Sequence, residues 1–307
     1  MVKPLRIGSL IDVDSSLPDT VAELQRLADA GFDHAWAVQI FGPDALTLLA
    51  TAGSQVPRIG LGTGVVPVYP RHPMMLAQQA LTVQWATGNR LLLGIGLSHQ
   101  IVVEGMWGLS FEKPARYMKE YLAALMPLLS GQKVDVDGER VTTHAVVPLT
   151  LGDATAPPVL VAALGTTMLR LAGRVADGTV TWMTGTRTVA SHISPVIREA
   201  AEKAGRPVPR IGVALPVSVT ADIETARERV NKEFGMYPNL PSYKAMLDKE
   251  GADSPADVAF LGDEDAVTAS IEQLAAAGAT DFVASVVGNR DERQRTFSLL
   301  SALARSA

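Results

Sequence analysis

Residues 58–99, RIGLGTGVVPVYPRHPMMLAQQALTVQWATGNRLLLGIGLSH, decide the reading of this chain. They run as an apolar strand, a glycine-rich exit, a long helix with few charges, a second apolar strand and another glycine-rich exit. The strands at 59–66 and 91–96 carry almost no polar side chains. Strands buried on both faces belong to parallel sheets whose crossovers are helices. Both glycine clusters fall at strand C-terminal ends, where α/β folds open space for a ligand, so function is to be sought there.

Working outward, the same rhythm recurs. Strands are predicted at 5–11, 34–38, 159–163, 179–183, 211–219 and 281–287. Helices are predicted at 19–30, closed by Gly31, and at 44–54, with Pro43 in the first turn. Further helices follow at 74–87, about 114–129, 166–176, 192–204, 223–234, 242–249, 264–277 and 292–304. A hairpin is expected around KVDVDGERV. Eight strands, each followed sooner or later by a helix, predict a (β/α)8 TIM barrel in one domain spanning 1–307, with insertions at about 97–156 and 220–262 after strands four and seven. An open doubly wound sheet fits less well, because no edge strand and no dinucleotide fingerprint is evident.

Composition narrows the function classes. The chain has 307 residues, 47% apolar and 19% charged, enough for a large core. Its 27 basic and 32 acidic residues give a net charge of −5, with no basic cluster suited to nucleic acid. Cysteine is absent, which rules out disulfides and thiolate metal sites and fits a reducing cytoplasm. The opening MVKPLRIGSLIDVDSS has no long apolar core before its aspartates, so no signal peptide is expected, and no apolar run is long enough to span a bilayer. The expectation is a cytoplasmic protein acting on a small molecule, with neither nucleic acid nor membrane as partner.

Common catalytic signatures are missing. Gly94-Ile-Gly96-Leu-Ser98-His99 begins like a dinucleotide loop but lacks the third glycine, and QIVVEGMWG after it does not read as a helix packed close to its strand. Gln100 stands where a nucleophile elbow needs its second glycine. The histidines at 34, 72, 99, 144 and 192 form no metal-binding pair, and no P-loop occurs.

Three segments together resemble the luciferase-like monooxygenase superfamily, and within it the coenzyme F-420-dependent oxidoreductases. RIGLGTGVVPVYPRHPMMLAQQALTV resembles the family's third strand, loop and following helix. RLLLGIGLSHQIVVEGMWGL resembles strand four with its active-site loop, and VLVAALGTTMLRLAGRVADGTVTWMTG the phosphate-binding strand, loop and helix. The resemblance implies a barrel that holds the deazaflavin coenzyme F-420 at its C-terminal face and transfers a hydride to or from a small substrate. It implies a non-proline cis peptide at Gly64–Val65 behind the ring, with Gln39, Thr63, Gly96, Leu97 and Ser98 around it. It also implies a phosphate cradle at Ala163, Leu164, Gly165, Thr166 and Thr167. Small residues there let backbone approach a ligand, and Thr166 or Thr167 is expected to cap a helix whose start attracts phosphate.

Departures from the family pattern matter as well. Gln39 stands where relatives often carry an acid, and Ile40 where some carry a catalytic histidine, so sugar-phosphate oxidation becomes doubtful. His99 matches a position that is acidic in those relatives and is the candidate catalytic proton carrier. Reduction of an activated alkene or imine is therefore the expected reaction. An FMN-dependent monooxygenase on the same scaffold is the alternative, and a non-catalytic deazaflavin-binding protein is another. His72 is read as a loop brace, Arg170 and Arg174 as facing solvent or a carboxylate, and Trp36 as core. Trp182 and Met183 are read as filling the barrel or lining the pocket, and Trp107 and Phe111 as covering a substrate or packing the insertion. The resemblance further implies a homodimer formed through barrel helices, with which the apolar helix 74–85 is consistent.

Overall fold

The computed structural model describes residues 5–306. Residues 1–4, part of the stretch read for a signal peptide, and residue 307 lie outside the described residues. Strands β1 (Arg6–Leu10), β2 (His34–Ala37), β3 (Gly60–Thr63), β4 (Leu91–Gly96), β5 (Val159–Val161), β6 (Gly178–Trp182), β7 (Arg210–Val219) and β8 (Asp281–Val286) pair in parallel in that order. β8 returns to β1, with Asp281 opposite Arg6, and the barrel closes. This is the expected (β/α)8 barrel, with all strand C-terminal ends on one rim.

Alternation along the strands sorts residues between two cores. Leu91, Leu93 and Ile95 of β4 pack outward into the large core under the helices, whereas Leu92 joins Trp36, Leu160, Val180 and Val283 inside the barrel. The inward positions of β3 and β4 that remain are glycines, and Trp36 explains why. Its indole is 1% exposed and fills the barrel centre. A Cβ at Gly8 would lie 2.8 Å from its Nε1, and one at Gly62 would overlap the ring. Truncating a buried tryptophan of this kind costs about 3–5 kcal/mol.

The helices are α1 (Leu17–Ala30), α2 (Ala45–Gly53), α3 (Pro73–Thr87), α4 (Gln100–Gly105), α5 (Pro114–Leu129), α6 (Thr166–Val175), α7 (Ser194–Lys203), α8 (Ile223–Phe234), α9 (Pro241–Glu250), α10 (Glu264–Ala276) and α11 (Arg290–Ser306). Gly31 closes α1 in the left-handed conformation (φ 89°), as expected. None of the helices among the described residues is long and apolar enough to cross a membrane. Residues 97–156 contribute α4, α5 and the expected hairpin, Val134–Asp137 against Thr142–Ala145. Residues 220–262 contribute α8, α9 and a strand, Phe260–Gly262, that pairs with the end of β7.

Several local expectations are corrected. The third strand does not run from 59 to 66: it stops at Thr63 and resumes as Val66–Pro67 beside β4. Pro43 precedes the N-cap Asp44 rather than lying in the first turn of α2. Helical backbone starts earlier than the expected 192, with a turn at Thr186–Thr188 that runs through a π turn at Val189–Ile193 into α7. Gln100–Gly105 does form a short helix, and Phe260–Gly262 is a strand too short for alternation to reveal.

At the opposite, N-terminal end, Asp281 is paired by Arg6 at 3.2 Å and by Arg210, whose Nε lies at 2.8 Å. Arg210 also donates to His34 Nε2 at 3.2 Å, so the imidazole is neutral. Burial, with the Arg210 charge second, pushes the His34 pKa down to about 4. A folded-state value below the ordinary 6.5 means stability is fully present above 6.5 and is lost as pH falls through about 4. Thermal midpoints followed across that window should fall more steeply in the native chain than in His34→Gln, which offers Arg210 an acceptor that does not titrate. Equal slopes would remove His34 as the cause.

Candidate functional site

The C-terminal rim is built where β3, β4 and β5 end. Thr63 is fully buried, and its hydroxyl donates to the Gly94 carbonyl and accepts from the Gly94 N–H, each at 2.8 Å. Its side chain is thus committed to holding β3 against β4 and is not offered to a ligand. The next peptide, Gly64–Val65, is cis, as expected. Gly64 N–H donates to the Ala37 carbonyl at 2.9 Å, which ties the turn to β2. The Val65 side chain lies over β4, since a Cβ on Gly96 would meet Val65 Cγ2 at 2.7 Å and the Ala162 methyl at 3.2 Å. Gly64, in contrast, is bare: only Trp36 Cε3, at 3.8 Å, comes within 4 Å of a Cβ placed there. Bare backbone at Gly64 therefore lies above the Trp36 floor, flanked by the Val65 side chain, which covers Gly96 beside Ala162.

The second part of the site follows β5. Ala163 is buried, and its N–H donates to Thr179 Oγ1 at 3.3 Å. The half-buried Leu164 presents its carbonyl to His192 Nε2 at 2.8 Å. The N-cap of α6 is Gly165 (φ −80°, ψ 151°), not a threonine, so Thr166 and Thr167 sit in the first turn. That correction makes the helix start more open, because glycine has no side chain to satisfy its donors. Among the described residues, the N–H groups of Thr166, Thr167 and Met168 have no acceptor. A Cβ at Gly165 would meet nothing within 4 Å. Free N–H groups, the positive end of α6 and empty space over Gly165 together suit a phosphate.

The third part follows β4. Ser98 adopts the left-handed conformation (φ 61°), as does Met183 (φ 51°) just beyond β6. Strained non-glycine backbone tends to gather at functional rims. Leu97 is half-buried against the core, and Ser98 brings the chain to His99, the residue before α4. The His99 ring has no hydrogen bond among the described residues, and burial lowers its pKa from the ordinary 6.5, so it is neutral at pH 7. Its centroid lies 5.8 Å from that of Tyr243.

Tyr243 belongs to an aromatic wall that the sequence reading missed. Tyr237 meets Tyr243 edge-on at 4.9 Å and Trp182 at 5.8 Å, and Phe234 meets Trp182 at 5.2 Å. The clue was FGMYPNLPSY (234–243), three aromatics and two prolines in an otherwise polar region.

Gln39 does not stand free either, since its Oε1 accepts the Ala45 N–H at 3.3 Å and so caps the approach to α2. It borders a cleft of about 540 Å³ lined also by Ile40, Phe41, Pro67, Arg71 and Trp107. Phe111 packs instead against Tyr69, with centroids 5.6 Å apart. His72 is the loop brace expected, its Nδ1 accepting from Met74 N–H and its Nε2 facing the Thr142 carbonyl. Arg170 and Arg174 are exposed. The structure thus gathers Gly64, Val65, Gly96 and the 163–167 loop on one rim, and sets His99 against the aromatic wall.

The chain matches the luciferase-like monooxygenase family over residues 2–292. It is 30% identical over 246 residues to a 5,10-methylenetetrahydromethanopterin reductase of Methanolobus tindarius, covering 79% of this chain and 74% of that one. A putative coenzyme F420-dependent oxidoreductase of Mycobacterium tuberculosis is 29% identical over 283 residues, covering 88% and 81%. The coenzyme F420-dependent tetrahydromethanopterin reductase of Methanopyrus kandleri has the same fold, with a TM-score of 0.81 and 22% identity over 97% of this chain and 98% of that chain.

Proposed function

Because the chain belongs to the luciferase-like monooxygenase family, we propose that it is an oxidoreductase that transfers a hydride between coenzyme F-420 and a small organic substrate at the C-terminal rim of a single barrel domain. The observation that carries this reading is the pair of bare backbone sites, Gly64 over the Trp36 ring and Gly165 at the start of α6. A planar ring needs the first and a phosphate the second, so the residues present fit the group. Gly64 and Val65 would back the ring, with Gly96, Leu97, Ser98 and Gln39 at its border and Thr63 fixing the strands beneath. Ala163, Leu164, Gly165, Thr166 and Thr167 would hold the phosphate. The bound deazaflavin supplies a two-electron donor or acceptor carbon.

What the chain adds is alignment and exclusion of water, which alone lower a barrier substantially. The aromatic wall of Trp182, Tyr237 and Tyr243 covers one side of the rim. His99 is the side chain we assign to proton exchange with the substrate. Neutral at pH 7, it acts there as an acceptor or through its ring N–H, and it becomes a cation only below its ordinary range. Reduction of an activated alkene or imine suits Ile40 better than alcohol oxidation, since Ile40 removes no proton.

Titration of the protein with F-420 and, separately, with FMN, followed by fluorescence, tests the cofactor. Preference for FMN would favour the monooxygenase alternative, and tight F-420 binding without turnover of any substrate would favour a carrier. His99→Gln should leave F-420 affinity unchanged and lower kcat about 100-fold. Its loss should also remove an acid limb lying below pH 6.5 from the rate profile. Undiminished turnover in this variant would exclude the role. We further propose self-association through α3, whose Met75 and Trp85 are exposed, with sedimentation as the test.

A further inference from the structure

Several exposed apolar side chains lie on segments that follow the barrel strands. Ile40 (62% exposed) and Phe41 (65%) follow β2, Ile101 (74%) and Met106 (61%) lie in and just after α4, and Met236 (62%) belongs to the segment after β7. All are on the loops that surround the proposed site. Single exposed apolar residues need no explanation and others are scattered over the molecule, so the pair Ile40–Phe41, which shares a cleft with Trp107, is what points to a binding surface.

An open cleft lies beside Gln39, on segments that leave the rim. Gly64 N–H bonds the Ala37 carbonyl, and Gln39 lies two residues beyond Ala37, while Pro67 lies two beyond Val65. The cleft is therefore built on the chain segments that continue from Ala37 and Val65. Its chemistry is uncharged. Arg71 is the one ionic side chain lining it, and Arg71 is ion-paired to Asp44. Asp14 borders Gly42 at the edge, since a Cβ there would meet its Oδ1 at 2.6 Å, which repels an anion. Gln39 Oε1 is used by Ala45 N–H, and its amide N–H groups have no acceptor among the described residues. That leaves an uncharged amide donor in a cleft where Ile40, Phe41, Pro67, Pro70 and Trp107 stand beside Gln39, Gln79 and the ion-paired Arg71.

We propose that this cleft, between Ile40–Phe41 and Trp107, receives the apolar tail of a neutral carbonyl-bearing substrate, with the Gln39 amide donating to its carbonyl oxygen. The assignment rests on the hydride-transfer reading and names its substrate class: a lipophilic, uncharged conjugated carbonyl compound rather than a phosphorylated or carboxylate one. Ile40, Phe41 and Trp107 are then specificity-determining residues.

The test uses the whole protein without added cofactor and a homologous series of 3-alkylcyclohex-2-enones, methyl to octyl, with Kd read from quenching of tryptophan fluorescence. Each added methylene should tighten Kd about fourfold until the cleft is full. Phe41→Ser and Ile40→Ser change exposed side chains and should flatten that dependence, and octyl analogues ending in a carboxylate or an ammonium should bind no better than the methyl compound. A Kd independent of chain length, or equal binding of the charged analogues, overturns the proposal. So does an unchanged chain-length dependence in both variants accompanied by loss of a dimer in sedimentation, which would assign the apolar rim to a second copy. A parallel F-420 titration separates the two readings: binding of F-420 without chain-length dependence sinks only the substrate class. Chain-length dependence without F-420 binding sinks only the cofactor.

Discussion

Gly165→Asp is expected to weaken F-420 binding by about 100-fold while leaving Tm unchanged or slightly raised. The expectation follows from what Gly165 does in the fold. It is the N-cap of α6 with an extended backbone that any residue can adopt, and a Cβ there meets nothing. Aspartate is a better cap than glycine, because its carboxylate can accept the first-turn N–H groups and favours the positive helix end. Those same donors are the ones a phosphate would use. The substitution therefore fills the cradle and repels its anion without disturbing the barrel. Deazaflavin fluorescence titration together with a melting curve checks both halves. An unchanged Kd would place the phosphate elsewhere, whereas a large fall in Tm would show that Gly165 has a structural duty the geometry does not suggest.

Gly94→Ala is expected to do the reverse, costing about 3 kcal/mol of stability and lowering Tm by roughly 5–10 °C. Here a Cβ would overlap the Thr63 carbonyl oxygen and would stand 3.1 Å from Val65 Cγ1. The overlapping atoms are backbone in the middle of a sheet, so no flexible side chain can yield. β3 and β4 must separate, breaking the paired Thr63–Gly94 hydrogen bonds and shifting Val65 from its place over Gly96. Binding of F-420 should weaken with it. Gly105→Ala is the matched control, since a Cβ at Gly105 meets nothing within 4 Å, and its Tm should stay within about a degree of the parent. Equal melting of the two variants would contradict the packing described for the barrel interior.

The two glycines show how much of the site was legible in advance. That Gly94 belongs to a glycine cluster near the end of β4 and Gly165 to the loop after β5 could be read from apolar runs and their exits. That one is a packing necessity and the other an open cradle could not. The difference lies in which atoms of distant strands come near each position. The same holds for the threonines, for Thr166 and Thr167 read well as caps, yet the cap is Gly165 and both threonines lie in the first turn of the helix. Thr63 and Gln39 both lie where β3 and β2 end, but the Thr63 hydroxyl is committed to Gly94 and the Gln39 oxygen to Ala45 N–H, a matter of pairing that no spacing rule contains.

Local pattern alone determined the alternation of strands and helices, the both-face burial of β3 and β4, and hence a closed parallel barrel with its working rim at the strand ends. It did so because the periods of strand and helix are properties of neighbouring residues. Tertiary structure alone decided that Tyr243, far along the chain, stands against His99, and that Trp36 forms the floor beneath Gly64. It also set Ile40 and Phe41 around one uncharged cleft with Trp107. Those juxtapositions depend on closure of the sheet and on the course of irregular loops, whose conformation is set by what they pack against and not by their own periodicity.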